Sequence, residues 1–417
     1  MPVDGADPLR TLRERIVELV AWFSEDGRRL PAAQSAWRHD ELWDKRIDAE
    51  VERWQGLMEE GRPLPLAALA VSPPSGVLFE LECLDLLAWY FPGAGNAPAP
   101  RFRRGDREYY LVRLARERTP HTARQAGLIY THLRYHALVP TRIEIDAVRS
   151  YSVRIDPRIW GSDRWGDMRA RGHVRVATTS FGDGAEIEWN DHAAVSVPTA
   201  GDRARNLGKA IEDAARDGVD ILVAPELTVP PGARDQVLSE LRWASGRQLA
   251  LLVPGSFHER IADRTVNRAL LADGKGNVLC EHLKLAMFGE NDGWLESISL
   301  GDEIRVVVTP IGTVAIAICK DFCDYFVGRV WEQLQVEWLL VPAYGRGASA
   351  HEEAAGRVAR MVGTVTILAH EGDRAKQVDS NSFVHVATLA KPDPKQELNA
   401  PKYFEYLVHL GDDPLTS

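Results

Sequence analysis

From residue 173 onward, short apolar segments alternate with amphipathic ones, and this alternation constrains the fold more than any other feature. The run HVRVATTSF is rich in β-branched residues and predicts a strand. Residues 202–218 place apolar side chains at positions i, i+3, i+4, i+7 and i+8, which predicts a helix that ends at Gly218. DILVAPE is a short, continuously apolar run typical of a buried strand. This alternation, interrupted by hairpins, predicts an α/β domain whose sheets are covered by helices.

The first 165 residues follow a different pattern. Residues 9–24, residues 40–60 and the segment LFELECLDLLAWYF indicate helices, with a proline-rich break before the last of them. We therefore predict a mainly helical N-terminal region over residues 1–165 and the α/β domain over residues 173–417. Residues 101–125 contain eight arginines, which form either a solvated charged face or an anion-binding one. The region carries no catalytic motif, its role is open, and it is a candidate to bind a protein partner.

Charge and hydropathy narrow the classes of partner. The chain of 417 residues has a formal net charge of −10, which argues against binding to nucleic acid or to anionic membranes. Its apolar runs fall far short of the roughly 20 residues that span a bilayer, and its acidic N-terminus is unlike a signal peptide. We therefore predict a cytoplasmic protein whose four cysteines, Cys83, Cys280, Cys319 and Cys323, are free thiols.

Three predicted strands of the α/β domain end in a reactive side chain. ILVAPE ends in Glu226, LCEHLK ends in Lys284, and AIAIC ends in Cys319. Because ligands bind at the carboxyl ends of strands in α/β sheets, these three side chains are candidates for one site. Taken singly, each has an ordinary explanation as well: a solvated carboxylate, a surface lysine or a buried core thiol.

Together the three groups provide what covalent acyl transfer requires, with no metal or cofactor. At roughly pH 7 only a few per cent of an ordinary thiol is ionised. A nearby carboxylate can act as the base that removes its proton. A fixed ammonium stabilises the thiolate and the oxyanion of a tetrahedral intermediate. Cys319 and Cys323 are weak support for a zinc site, since structural zinc sites show two close pairs of ligands. Cys323 is predicted to be a packing residue at the start of the helix that follows Cys319. Asp321 and Asp324 are candidates to cap that helix, whose dipole would favour a thiolate at Cys319.

These motifs resemble those of the nitrilase (carbon–nitrogen hydrolase) superfamily over about residues 173–390. VAPELTVPP is similar to the segment around the family's catalytic glutamate, DGKGNVLCEHLK to the hairpin that leads to its lysine, and GTVAIAICKDFCD to its nucleophile strand. The resemblance implies Glu226 as general base, Lys284 as the charge-stabilising residue and Cys319 as nucleophile. It also implies a four-layer α-β-β-α sandwich, and Glu290 as a further glutamate that positions the substrate or the lysine.

The resemblance also implies an activity. The family hydrolyses non-peptide carbon–nitrogen bonds through a cysteine thioester, so we expect a small-molecule amide, carbamoyl or nitrile substrate, an amidase rather than a nitrilase, and a homodimer or larger homo-oligomer. The pair Gly255–Ser256 followed by Asn267 also matches the family. Lys320 departs from it, because an aromatic residue often stands there, and is a candidate to lie beside the substrate or its oxyanion. The family's motifs near the end of the domain are only weakly matched, in DSNSFVHVATLAKPDPKQE. The alternative is therefore a catalytically reduced, nitrilase-like binding or regulatory protein.

Overall fold

A computed structural model describes residues 8–38, 40–90, 101–104, 106–115, 132–146, 149–156, 163–181, 187–197, 200–243, 249–289, 295–345, 347–372, 382–385 and 402–409. The chain divides into two compact units, Met1–Thr141 and Arg142–Ser417. The sequence pattern places a boundary near residues 165–173 instead. The difference arises because two short strands between residues 142 and 156 pair with a sheet of the second unit.

The first unit combines helices with a small antiparallel sheet. Its described helices are α1 (Pro8–Glu25), α2 (Arg29–Arg38), α3 (Trp43–Glu59) and α4 (Pro74–Tyr90), and its strands are β1 (Arg101–Arg104), β2 (Arg107–Arg113) and β3 (His136–Pro140). Helix α4 is buried along most of its length and packs against the three helices before it, as expected for a helix that is apolar on all sides. The predicted helical character of this region is confirmed, whereas α2 and the sheet were not predicted.

Two buried carboxylates on α4 are each paired with a buried histidine. Glu82 Oε1 lies 2.8 Å from His132 Nδ1, and Asp85 Oδ1 lies 2.9 Å from His136 Nδ1. Glu82 Oε2 also accepts a hydrogen bond of 2.8 Å from the Trp43 indole. Because a buried carboxylate is tolerated only when it is paired, these contacts fasten α4 to α3 and to the segment that enters β3.

The second unit contains two seven-stranded sheets. The first sheet comprises β6 (His173–Ser180), β9 (Ile221–Val223), β10 (Leu251–Val253), β11 (Ser256–Ile261), β12 (Arg264–Ala272), β13 (Val278–Leu283) and β19 (Lys402–His409). The second comprises β4 (Arg142–Glu144), β5 (Ser150–Asp156), β14 (Glu303–Thr309), β15 (Gly312–Ile316), β16 (Trp338–Gly345), β17 (Val365–Gly372) and β18 (Phe383–His385). Strands β6 and β9 of the first sheet contact β16 and β17 of the second, so the two sheets pack face to face. A separate hairpin is formed by β7 (Glu188–Asn190) and β8 (Ala193–Ser196).

Helices cover the outer faces of these sheets. The described helices of this unit are α5 (Asp163–Arg171), α6 (Ala200–Arg216), α7 (Pro231–Leu241), α8 (Lys320–Cys323), α9 (Arg329–Leu334) and α10 (Ser349–Val362). Leu207 and Ile211 of α6 and Val237 of α7 share one hydrophobic core with Leu222 and Leu252 of the first sheet. Helix α10 packs on β17 and β18 of the second sheet. The predicted four-layer α-β-β-α sandwich is therefore confirmed.

In the part of the chain that the structure describes, none of the helices combines the length and the apolar character needed to cross a membrane. The predicted hairpin around DGKGN is present as β12 and β13, with Gly276 in its turn. The sequence SFVHVATLA also predicts a strand. Strand β18 covers Phe383–His385 of this segment, and residues 386–390 lie outside the described residues.

Candidate active site

Glu226 lies just beyond β9, where the chain turns sharply. Leu227 has a positive φ of 56°, and its N–H donates a hydrogen bond of 2.7 Å to the Ser256 carbonyl. Gly255, which directly precedes β11, lies close to the segment that carries Glu226. It has a φ of +85°, and a Cβ at this position would lie 2.4 Å from the Pro225 carbonyl oxygen. The close contact between the segment after β9 and the segment before β11 fixes the backbone that carries Glu226.

We expect Gly255→Ala to destabilise the protein by roughly 3 kcal/mol or more, since it combines left-handed backbone strain with a clash against main chain. Gly208→Ala is the matched control, because Gly208 lies within α6 and no atom lies within 4 Å of the added Cβ. This substitution should stabilise the helix by about 0.5–1 kcal/mol. Chemical denaturation of both variants measures the two effects. Equal stability of the two variants would contradict the proposed role of the close contact.

Lys284 follows β13 and extends into the interior of the sandwich. Its side chain is 2% exposed, and its Nζ lies 2.8 Å from Glu226 Oε1 and 2.8 Å from Glu296 Oε2. Asn267 Nδ2 donates to Glu226 Oε1 at 2.8 Å and to Glu296 Oε1 at 3.3 Å. His258 Nε2 lies 2.6 Å from Glu296 Oε1. These five residues are called the Lys284 cluster below.

The Lys284 cluster holds one ammonium between two carboxylates. Burial lowers the pKa of Lys284, but Glu226 and Glu296 outweigh it and hold that pKa well above its ordinary value. Burial likewise raises the pKa of Glu296, yet Lys284 and His258 lower it to about 2. Lys284 therefore stays a cation and Glu296 a carboxylate throughout the neutral pH range.

Cys319 lies where β15 leaves its sheet and α8 begins. Its main-chain N–H donates to the Pro342 carbonyl at 2.9 Å, and its thiol donates to the Tyr344 carbonyl at 3.6 Å. Its φ of 42° is rare for a residue other than glycine. Such strain persists only where the surroundings impose it, and it is concentrated at functional sites. The turn places the Cys319 thiol close enough to Glu226 and Lys284 for both charges to act on its pKa.

The thiol of Cys319 is neutral at rest. Burial and the Glu226 carboxylate raise its pKa far above the usual range, and Lys284 offsets this only in part. The sequence pattern suggested that a fixed ammonium and a helix N-terminus would favour a thiolate. The structure differs because Lys284 is shared between two carboxylates and α8 has only four residues. The arrangement therefore suits removal of the thiol proton by Glu226 during attack on a substrate.

Asp321 joins the segment that carries Lys284 to the one that carries Cys319. Its Oδ1 accepts hydrogen bonds from the N–H groups of Leu285 and Ala286, at 2.7 and 2.8 Å. Its Oδ2 accepts one from the Ile318 N–H at 3.1 Å and lies 3.0 Å from His282 Nε2. The predicted capping role of Asp321 is thus wrong, because its side chain is fully buried beneath the turn and bonded to distant main chain.

Three further predicted residues remain to be placed. The Lys320 side chain is 36% exposed, and its Nζ lies 3.9 Å from Asp324 Oδ2. Asp324 accepts hydrogen bonds from the N–H groups of Phe326 and Val327 just before α9. Cys323 is partly buried. Within the described ranges, no three His, Cys, Asp or Glu side chains come together in a way that could hold a metal ion.

The second glutamate beside Lys284 is Glu296, which the sequence pattern did not identify. Glu290, the residue predicted for this position, lies outside the described residues, so its role stays a prediction. Both glutamates follow Lys284 within a dozen residues, and spacing alone does not distinguish them. The available signal was the setting of Glu296 in WLESISL, where an acidic residue interrupts a largely apolar stretch. His258 and Asp321 were likewise missed as partners of the site.

Comparison with known proteins shows which family part of this chain resembles. The sequence model of the carbon–nitrogen hydrolase family matches residues 193–322, a segment that contains Glu226, Lys284 and Cys319. The chain is 28% identical over 148 residues to the chloroplastic omega-amidase of Arabidopsis thaliana, a match covering 29% of this chain and 39% of that protein. The predicted resemblance to the nitrilase (carbon–nitrogen hydrolase) superfamily is therefore confirmed for this segment.

Two solved structures are similar to part of this chain. An amidase from Nesterenkonia sp. AN1, solved with an acetamide moiety on its active-site cysteine, is 17% identical with a TM-score of 0.42, covering 59% of this chain and 96% of its own. The NitFhit protein of C. elegans is 17% identical with a TM-score of 0.45, covering 57% of this chain and 61% of its own.

Proposed function

We propose that this protein hydrolyses a non-peptide carbon–nitrogen bond of a small molecule, with Cys319 as nucleophile, Glu226 as general base and Lys284 as the stabilising cation. One observation carries the proposal: the buried Cys319 thiol lies beside a buried carboxylate and a buried ammonium that are 2.8 Å apart and both act on its pKa. A structural ion pair needs no thiol beside it. A thiol, its base and an electrophilic cation together form the set that acyl transfer requires.

In the first half-reaction the thiol proton moves to Glu226 as the sulfur bonds to the substrate carbon. The carbonyl oxygen then gains the negative charge, which Lys284 Nζ stabilises, and the Lys320 N–H at the start of α8 is a candidate second donor. When the tetrahedral intermediate collapses, the C–N bond breaks. The leaving nitrogen takes the proton from Glu226, and ammonia or an amine departs from a Cys319 thioester.

In the second half-reaction water attacks the thioester, and Glu226 accepts a proton from that water. Collapse of this intermediate breaks the C–S bond, the sulfur is protonated again, and the carboxylic acid leaves. Glu296 stays charged through both steps, because its partners Lys284, His258 and Asn267 favour its carboxylate form. Its role is to hold Lys284 in place while Glu226 alternates between acid and base.

Within this class we favour an amide over a nitrile as substrate. The similarity to a plant omega-amidase supports this choice. The exposed part of Lys320, next in sequence to the nucleophile, supports the further prediction that the substrate carries an acidic group. Both points are proposals about specificity, and a screen with paired compounds separates them from the proposal about the reaction.

The test is a screen for ammonia release over amides, carbamoyl compounds and nitriles, each offered as a neutral compound and as a carboxylate-bearing analogue. Cys319→Ala should lower activity to background, by at least about 10³-fold, since no other group replaces the nucleophile. Cys323→Ala is the matched control and should keep activity. Acid-quenched enzyme should carry the acyl group on the tryptic peptide VVVTPIGTVAIAICK, which holds Cys319 and not Cys323.

Ammonia release that persists in Cys319→Ala would refute the mechanism. Absence of both turnover and acyl adduct over the whole screen would favour the alternative, a nitrilase-like binding or regulatory protein. The homo-oligomeric state, the cytoplasmic location and a protein partner for the first unit stay predictions from the sequence. Light scattering of the full chain measures the first of these directly.

A further inference from the structure

The β7–β8 hairpin docks on the segment that carries Glu296. Its turn residues, Asp191 and His192, have φ values of 46° and 64°, as a two-residue hairpin turn requires. His192 Nδ1 donates to the Leu295 carbonyl at 3.0 Å, and the Ser297 N–H donates to the His192 carbonyl at 3.1 Å. The turn of the hairpin therefore holds the residues on both sides of Glu296.

The same hairpin determines where the proton sits on His258. The Ala194 main-chain N–H donates to His258 Nδ1 at 2.7 Å, while His258 Nε2 lies 2.6 Å from Glu296 Oε1. Because a main-chain N–H can only donate, Nδ1 carries no proton, and Nε2–H is the donor to the carboxylate. The Trp189 ring packs edge-on against the His258 ring, with centroids 5.9 Å apart.

We propose that His258, with its tautomer fixed by the β7–β8 hairpin, is a positioning residue that holds the Glu296 carboxylate against Lys284. This inference rests on the proposed function. Glu296 Oε1 receives hydrogen bonds from His258, Asn267 and Lys284, and its Oε2 receives them from Lys284 and the Phe288 N–H. His258 is the member of this set that the hairpin controls.

The geometry of the set explains why this contact matters for catalysis. Lys284 is bonded to both glutamates, so its position between Glu226 and Glu296 depends on both carboxylates staying charged and in place. Without the Nε2–H donor, Glu296 binds a proton more readily and loses part of its hold on Lys284. Lys284 would then stand less well aligned with the oxygen that gains charge at Cys319.

Three substitutions at His258 separate positioning from packing. His258→Gln keeps a donor near the place of Nε2, His258→Asn keeps only an acceptor near the place of Nδ1, and His258→Phe keeps only a ring against Trp189. We expect His258→Gln to retain kcat within about tenfold. We expect His258→Asn and His258→Phe to lower kcat about 10²-fold with KM nearly unchanged, because the lost interaction acts in the transition state.

The pH profile gives a readout that packing alone would not move. In His258→Asn and His258→Phe the acid limb of kcat/KM should shift to higher pH, since loss of the donor raises the pKa of Glu296, and in His258→Gln it should stay in place. Ala194→Pro removes the hairpin donor and should shift the acid limb as well, whereas Val195→Ala on the same strand should not. The proposal would be overturned if kcat fell in proportion to the melting temperature in all three His258 variants and the acid limb of kcat/KM did not shift.

A second measurement needs no turnover and so separates this inference from the proposed function. Iodoacetamide labelling of Cys319 and Cys323 can be followed on separate tryptic peptides, VVVTPIGTVAIAICK and DFCDYFVGR. If Lys284 is displaced, labelling of Cys319 at a given pH should slow severalfold in His258→Asn and His258→Phe, with Cys323 unchanged. Unchanged labelling of Cys319 in both variants would overturn the positioning role, even in a protein that hydrolyses no compound of the screen.

Discussion

Lys284→Met is expected to lower the rate of hydrolysis about 10³-fold, because it removes the cation proposed to stabilise the oxyanion. It should also lower the free energy of unfolding by about 3–5 kcal/mol, the usual cost of removing one partner from a buried ion pair. Glu226 and Glu296, each 2% exposed at the side chain, would keep their burial and lose their shared counter-charge. Steady-state kinetics and urea denaturation measure the two effects separately.

The stability loss in Lys284→Met should depend on pH in a defined direction. In the native protein the pKa of Glu296 is depressed from 4.5 to about 2, so its contribution is present above pH 4.5 and disappears as pH falls towards 2. Lys284 is the first-ranked influence that lowers the pKa of Glu296, so that pKa rises when Lys284 is removed. The stability difference between variant and native protein should therefore be smallest near pH 2, the native pKa of Glu296, and grow as pH rises.

Two control variants test whether the effect comes from the loss of the buried charge at Lys284. Lys275→Met removes an exposed lysine from the turn before the same strand and should change stability by at most about 0.5 kcal/mol. Lys284→Met combined with Glu296→Gln should regain stability, since one of the unpaired carboxylates is gone, while activity stays low. A stability difference that grows on acidification would show that Lys284 does not neutralise these carboxylates.

Asp321→Ala is expected to produce the second large effect, a loss of about 4 kcal/mol in stability. It leaves three buried main-chain N–H groups and the His282 ring without their acceptor, and each unpaired group costs about 1–3 kcal/mol, not fully additively. Activity should fall about 10²-fold, because the segments that carry Lys284 and Cys319 are no longer tied to one carboxylate.

Asp321→Asn tests the same role in a protein that is easier to fold. One oxygen remains to accept from Leu285 and Ala286, while the amide nitrogen faces the Ile318 N–H, so we expect about half the stability loss. Asp324→Asn is the matched control, because Asp324 accepts two main-chain N–H groups at the surface; it should cost about 1 kcal/mol. If Asp321→Asn and Asp324→Asn lowered activity equally, Asp321 would have no special role at the site.

Much of the fold was predictable because its elements are specified locally. Apolar residues at helical spacing predicted α1 and α6, and the DGKGN turn predicted the β12–β13 hairpin. The β7–β8 hairpin was missed, since its exposed strands lack the alternation of a buried sheet. Strand β19 was missed as well: its pairing with β6 joins segments far apart in the chain.

The sequence by itself determined the order of Glu226, Lys284 and Cys319 at the ends of three strands, and with it a candidate site, because strand ends in an α/β domain gather at one place. Only the tertiary structure decided which partners these residues have. His258 and Glu296 are 38 residues apart, and Asp321 and Leu285 are 36 apart. Such hydrogen bonds arise from the packing of one sheet and its loops on another, and no local period in the sequence records them.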